Sequence, residues 1–220
     1  MTSPVFLLRL LAAIGASAAF GLLAAPLLPL PRFPAAFVLA FGFGTAFMIG
    51  TGHRILIAVA LRDPARASAA SWSGATAGIA LGAIGGWGVC RAMGGDPRLL
   101  LAAFAVALNI AYLPVKCACL LAGCCLAMRP IPGVRIDLRR IEIGLTIALT
   151  LLALMFWWLG RPALTATTGI GGHLALRYFS RWSRRRLPQN LIYDGNAGLE
   201  LGPLIALLLI ALGEGLWARG

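Results

Sequence analysis

The chain has few charged side chains, and acidic ones are the scarcest. Only 12% of its 220 residues are charged, and they comprise 7 acidic residues against 19 basic ones. There is one lysine, Lys116, and there are two histidines, His53 and His173. So small a charged fraction, with 60% apolar residues, excludes a sizeable water-soluble domain and is typical of polytopic membrane proteins.

Long apolar runs alternate with clusters of Pro, Gly and Arg. They predict an all-α fold, a single integral membrane domain over residues 1–220 with about seven transmembrane helices. The sixth run is rich in Thr and Gly between residues 165 and 172, so a short, broken or partly re-entrant helix also fits there. The seven predicted spans are Val5–Leu28, Ala35–Leu61, Trp72–Met93, Leu99–Met128, Ile141–Leu159, Ala163–Phe179 and Leu201–Trp217.

Lys116 lies near the middle of the fourth span, which holds no other charge. A cation at bilayer depth costs roughly 2.5 kcal/mol or more unless it meets a partner or a wet cavity, so this lysine predicts a functional site. The alternative is a side chain that extends along the helix to the headgroups. Asn109 and Tyr112 precede Lys116 by seven and four residues, which places them on the same helix face, where they can orient the ammonium.

The cysteines do not form a recognisable metal motif. Tetrahedral zinc spacings are absent, and several thiolates inside a membrane helix would be costly. In helices, cysteine mostly behaves as a small hydrophobe. We therefore predict neither a metal nor another cofactor for the five cysteines, Cys90, Cys117, Cys119, Cys124 and Cys125.

The net charge of +12 predicts contact with anionic lipid headgroups. No basic patch is interleaved with aromatics in the manner of a nucleic-acid-binding surface, so we expect no nucleic acid partner. The loops after the second, fourth and sixth spans hold ten arginines, against five in the other loops and the C-terminus. The positive-inside rule then places the N-terminus and the arginine-rich loops in the cytoplasm.

Five segments resemble motifs of the prolipoprotein diacylglyceryl transferase family, in the right order and over about residues 40–190. The most specific is Val115–Cys125 (VKCACLLAGCC), which resembles the family's G-R-x-G-C-F-L-A-G-C-C. Gly52–Ile55 is similar to G-G-R-I-G, and Ser71–Gly74 is similar to S-F-H-G-G. Arg135–Glu142 falls where the family has R-H-P-T-Q-L-Y-E, and His173–Phe179 resembles Y-G-x-x-R-F.

The resemblance implies an enzyme of the bacterial inner membrane in lipoprotein biosynthesis. Members move the diacylglyceryl group of phosphatidylglycerol to a lipobox cysteine thiol and release glycerol phosphate. Lys116 and Arg177 match the two family arginines that hold the phosphate, and His173 is our candidate proton acceptor. Alternatively, Arg177 pairs with Glu142 or lipid phosphate, His173 is only hydrogen-bonded in the bundle, and Glu142 only favours a helix N-terminus. The expected substrate-binding set is His53, Arg54, Ser73, Gly74, Asn109, Cys119, Arg135 and Glu142.

Several departures from the family pattern support a second hypothesis, a non-catalytic lipid-binding subunit or assembly factor of a larger membrane complex. Lys116 replaces an arginine, Cys119 stands at an asparagine position, Ser73 replaces the H-G-G histidine, and His173 replaces a tyrosine. The family's first-helix Y-G-L motif is absent. The family also keeps its N-terminus outside the cytoplasm, against the arginine count. The expected partners are an anionic phospholipid and, as a second, a membrane protein.

Overall fold

The computed structural model describes residues 73–92, 94–121, 138–184 and 197–217, with four residues of the first predicted span, Gly15, Ala19, Phe20 and Leu23. The described part is helical and contains no strand, which confirms the all-α expectation for it. The rest of the first span and all of Ala35–Leu61 lie outside it, so the seven-span count stays a prediction. The long helices are α1 (Ser73–Ala92), α2 (Pro97–Leu121), α3 (Leu138–Trp158), α4 (Pro162–Arg184) and α5 (Ala197–Trp217).

Local sequence explains where three of these helices begin or end. Asp96 caps α2: its Oδ1 accepts a hydrogen bond of 2.9 Å from the backbone N–H of Arg98, and proline occupies the first helical position. Gly94 and Gly160 lie two residues past the ends of α1 and α3, and their φ angles are +75° and +65°. Both ends show the paired backbone hydrogen bonds of the Schellman motif, which favours glycine at this left-handed position.

Helix α4 covers the sixth predicted span and runs without a break over 23 residues. A short, broken or re-entrant helix, which the Thr and Gly content had also allowed, is therefore wrong for this segment. The Thr165 and Thr167 hydroxyls donate to the backbone carbonyls of Arg161 and Ala163, so they are satisfied within the helix itself.

Helix α4 packs against α2, α3 and α5. It runs parallel to α2, because Asn109 meets His173 and Tyr112 meets Arg177 at sequence separations of 64 and 65. It runs antiparallel to α3, because Ser180 meets Glu142 in the second turn of that helix, whereas Gly172 approaches Leu149 further along it. The C-terminal ends of α2 and α4 and the N-terminal end of α3 therefore share one end of the bundle, hereafter the Lys116 end; the opposite end is hereafter the Glu214 end.

The apolar core lies between α1, α2, α4 and α5. Its fully buried members include Leu101, Ile170, Leu204 and Leu207, with alanines between them that let the helices approach closely. A smaller cluster near the end of α1 packs against Phe20 and Leu23 of the first predicted span.

Helix α3 is apolar on its outer face and polar on its inner one. Leu151, Met155 and Trp158 are 61%, 47% and 86% exposed, whereas Glu142 and Thr146 are fully buried. Among the described residues, two helical segments are long and apolar enough to cross a membrane, Pro97–Pro114 and Arg139–Trp158. Only 22% of the second is buried, whereas the core helix of a soluble protein would be mostly buried.

Candidate functional site

The single lysine forms an ion pair inside the bundle. The Nζ atom of Lys116 on α2 meets Oε2 of Glu142 on α3, and the two side chains are 4% and 0% exposed. The hydroxyl of Ser180 on α4 donates to Oε1 of the same carboxylate. The alternative interpretation, in which Lys116 extends to the headgroups, is therefore wrong. The charge of Lys116 is balanced where three helices meet.

The structure corrects the position expected for Glu142. The apolar pattern placed it at the start of its helix, but α3 begins at Leu138, so Glu142 lies in the second turn. Arg139 and Arg140 extend the helix toward its N-terminus because arginine is a good helix former although it is not apolar. Favouring a helix N-terminus is therefore not the role of Glu142, whose carboxylate faces Lys116 and Ser180.

Tyr112 brings two cations and one imidazole together. The Lys116 ammonium lies 5.0 Å from the centre of its ring, and the Arg177 guanidinium carbon lies 5.8 Å from it, both within cation–π range. The His173 ring meets it edge-on, with centroids 4.8 Å apart and an interplanar angle of 79°. The Tyr112 hydroxyl also accepts a 3.4 Å hydrogen bond from Nη1 of Arg177. We call Tyr112, Lys116, His173 and Arg177 the Tyr112 cluster.

Asn109 lies one turn before Tyr112 on α2 and links that helix to α4. Its Nδ2 donates to the backbone carbonyls of Ala105 and Gly169, at 2.8 and 3.1 Å. Its Oδ1 lies 3.3 Å from Nδ1 of His173. Asn109 and His173 are both fully buried, and Nε2 of His173 has no hydrogen-bond partner among the described residues.

Five of the predicted site residues come together in this region: Asn109, Lys116, Glu142, His173 and Arg177. Ser73 and Gly74 are the first two residues of α1, and Cys119 lies three residues beyond Lys116 on α2. For these three residues the structure describes the helix but not the side chain. His53, Arg54 and Arg135 lie outside the described residues, and their roles stay predictions.

Ser180 and Thr146 also belong to the buried polar region, although neither lies in a motif that predicts a site. The Thr146 hydroxyl donates to the backbone carbonyl of Glu142 at 2.6 Å, and Ser180 donates to the Glu142 carboxylate. Ser180 had a detectable signal, since it follows Arg177 by three residues and His173 by seven and so shares their helix face.

The charged side chains of this region are Lys116, Arg177 and Glu142. Lys116 pairs with the Glu142 carboxylate, and Lys116 and Arg177 both lie against the Tyr112 ring. No group of three or more His, Cys, Asp or Glu within the described ranges is placed to hold a metal ion. Comparisons of the chain with protein-family models, with curated proteins and with solved structures find no match.

Proposed function

We propose that the chain is an integral protein of the bacterial inner membrane, with about seven transmembrane helices. Two described helices are long and apolar enough to cross a bilayer. Helix α3 directs Leu151, Met155 and Trp158 outward and its glutamate inward, the reverse of a helix on a water-soluble protein. Lipid around the bundle would cover these apolar side chains.

The proposed substrate is an anionic phospholipid. The single observation that carries this proposal is the Tyr112 cluster, where Lys116 and Arg177 lie within 6 Å of one ring, beside a buried imidazole nitrogen without a hydrogen-bond partner in the described chain. These groups lie toward the Lys116 end of the bundle. A phosphate there would meet two positive charges.

The proposed reaction is transfer of a diacylglyceryl group to a thiol, as the resemblance of Val115–Cys125 to the prolipoprotein diacylglyceryl transferase family implies. Nε2 of His173 accepts the thiol proton, and the sulfur attacks the glyceryl carbon. A C–S bond forms as the C–O bond breaks, and glycerol phosphate leaves with the electron pair. Arg177 and Lys116 stabilise the charge that develops on the leaving group.

The test is transfer of labelled diacylglyceryl from phosphatidylglycerol to a lipobox peptide by the purified protein in lipid nanodiscs. His173→Gln and Arg177→Gln should each lower kcat about 100-fold or more, since each removes a group acting in the transition state. Arg140→Gln is the matched control, because Arg140 is an exposed arginine near the same end of the bundle. Equal loss in all three variants would contradict the assignment.

The second candidate is a non-catalytic lipid-binding subunit of a membrane complex. It is favoured by the partner that Lys116 already has in Glu142 and by the complete burial of His173. Phosphatidylglycerol that copurifies with wild-type protein, is lost from Arg177→Gln and is never transferred would establish this candidate in place of the enzyme.

A further inference from the structure

The orientation of the Asn109 side-chain amide is fixed by the two carbonyls that it meets. A carbonyl oxygen can only accept, so the amide atom at 2.8 Å from Ala105 O and 3.1 Å from Gly169 O must be the nitrogen. The atom at 3.3 Å from Nδ1 of His173 is then Oδ1, which has no proton to give.

Helix packing prevents the amide from turning over. The Gly169 carbonyl comes within reach because α4 approaches α2 so closely that a Cβ on Gly169 would lie 2.8 Å from the Cβ of Ala105. A rotation of the amide by 180° would point Oδ1 at two carbonyl oxygens and leave Nδ2 facing His173. Both protons of the amide nitrogen are used in the observed orientation, so none remains for a substrate.

From this geometry we infer that Asn109 is a positioning residue that holds His173 as the tautomer with its proton on Nδ1, so that Nε2 carries the free lone pair. In the other neutral tautomer, Nδ1 and Oδ1 would present lone pairs to each other at 3.3 Å. Nε2 would then bear a buried N–H without an acceptor among the described residues. A doubly protonated ring would bury that N–H together with a charge, in a cluster that already holds two cations.

Asn109 then orients the proton acceptor, in place of the substrate contact and the orientation of the Lys116 ammonium that the sequence predicts. The catalytic role of Asn109 rests on the proposed function, but the tautomer of His173 does not. In the described arrangement, Nε2 is ready to accept a proton from a thiol or hydroxyl.

The direct test is ¹⁵N and ¹³C NMR of histidine-labelled protein in nanodiscs, which distinguishes the two tautomers by the ring nitrogen and Cδ2 shifts. The chain has two histidines, so the His173 signals are those lost in His173→Gln. Wild-type protein should show His173 protonated on Nδ1. Asn109→Leu, which keeps the volume and removes both polar atoms, should shift the population toward the tautomer with its proton on Nε2.

Thr150→Val is the matched control. It removes another buried side-chain hydrogen bond, from Thr150 to the Thr146 carbonyl, in which His173 takes no part, and it should leave the tautomer unchanged. A wild-type ring protonated on Nε2, or an Asn109→Leu ring unchanged from wild type, would overturn the inference. If Asn109→Leu does not fold, the wild-type spectrum decides alone.

The transfer assay separates this inference from the proposed function. If both hold, Asn109→Leu lowers kcat about 100-fold while KM for phosphatidylglycerol stays near the wild-type value, because the base and not lipid binding is affected. An Nδ1 tautomer in a wild-type protein that transfers nothing would refute the enzyme and leave the positioning role standing. A normal kcat in Asn109→Leu would refute the positioning role for catalysis.

Discussion

The two ends of the bundle each hold a cation–carboxylate pair, and the pairs differ most in their access to water. At the Lys116 end, the side chains of Lys116 and Glu142 are 4% and 0% exposed. At the Glu214 end, Arg91 meets Glu214 at 2.6 Å with side chains 54% and 11% exposed. The Glu214 carboxylate also accepts a hydrogen bond of 2.9 Å from Trp87 Nε1 and so joins α1 to α5.

The difference in exposure separates a pair near water from a buried pair, whose presence needs a further explanation. A pair near water is typically worth about 0–1 kcal/mol and needs no further explanation. A buried pair costs several kcal/mol of desolvation per ion and is often no more stable than apolar residues of the same volume. The chain has only seven acidic residues, and placing Glu142 in a buried pair adds little stability. This favours a functional role for the pair.

The largest effect should come from removing one member of the buried pair. Glu142→Gln leaves the Lys116 ammonium buried without its carboxylate, and we expect a loss of about 3–5 kcal/mol in the free energy of unfolding. Denaturant or thermal unfolding in detergent micelles measures it. The double variant Lys116→Met/Glu142→Leu should be more stable than Glu142→Gln. A loss below about 1 kcal/mol would put this pair in the class of exposed pairs.

The next largest effect tests the close approach of α2 and α4 that brings the Gly169 carbonyl to Asn109. Gly169→Ala adds a Cβ at 2.8 Å from the Cβ of Ala105 and 3.3 Å from its backbone, atoms that cannot move without the helix. We expect a loss of about 1–3 kcal/mol. Gly144→Ala is the control, because nothing lies within 4 Å of its added Cβ, and it should be neutral or stabilising. Equal effects would show that the helices can separate freely.

A smaller effect is expected at the cap of α2, which lies at the Glu214 end. Burial raises the pKa of Asp96, but hydrogen bonds and charge from Arg98 lower it more, so this pKa lies below its ordinary value of 3.8. The carboxylate therefore stabilises the fold above about pH 4, and this contribution is lost as the pH falls through the lowered pKa. Asp96→Ala should cost about 1 kcal/mol at pH 7 through the lost cap.

The control for the cap is Asp96→Asn, which keeps an oxygen to accept from the Arg98 backbone. At pH 7 its free energy of unfolding should be close to that of wild-type protein. Below about pH 4 it should not show the loss of stability that protonation of Asp96 causes in wild-type protein. Unfolding measured from pH 2 to pH 7 in both variants checks this. If Asp96→Asn lost stability in acid as wild-type protein does, the acid dependence would come from other carboxylates.

The smallest effect should follow from breaking the partly exposed pair of Arg91 and Glu214. Glu214→Gln keeps an oxygen for Trp87 and removes the charge opposite Arg91, and we expect a loss of about 0.5 kcal/mol or less. In wild-type protein, raising the salt concentration from 0.1 M to 1 M should weaken the pair, whereas the variant should respond less. A loss comparable to that of Glu142→Gln would erase the distinction between the two ends.

Helix positions were predictable from the sequence wherever an apolar run ends at Pro, Gly or Arg. The third predicted span differs from α1 by one residue at each end, and the seventh ends with α5 at Trp217. The C-terminal end of α4 was not predictable from hydropathy, because the helix continues five residues past Phe179 to Arg184 through polar residues. There, backbone hydrogen bonding and the position of Ser180 opposite Glu142 matter more than apolarity.

The site was only partly predictable. The spacing along α2 placed Tyr112 on the face of Lys116, and the ammonium lies over that ring. The contacts of Lys116 with Glu142, and of Asn109 with His173, depend on the register between helices, which the periodicity of one helix does not contain. The sequence points to Glu142 only through a resemblance to a family motif, whereas its pairing with Lys116 depends on how α2 and α3 pack.

The order of the helices along the chain has a consequence for biosynthesis. Lys116 lies on α2, and the carboxylate that balances it lies on α3, so the ribosome releases the cation before its partner. In a membrane, α2 alone would enter the bilayer at a cost of about 2.5–3.5 kcal/mol for the unpaired lysine. Helices α2 and α3 should therefore be integrated as a hairpin, and a nascent chain stopped before residue 142 should be poorly anchored at α2.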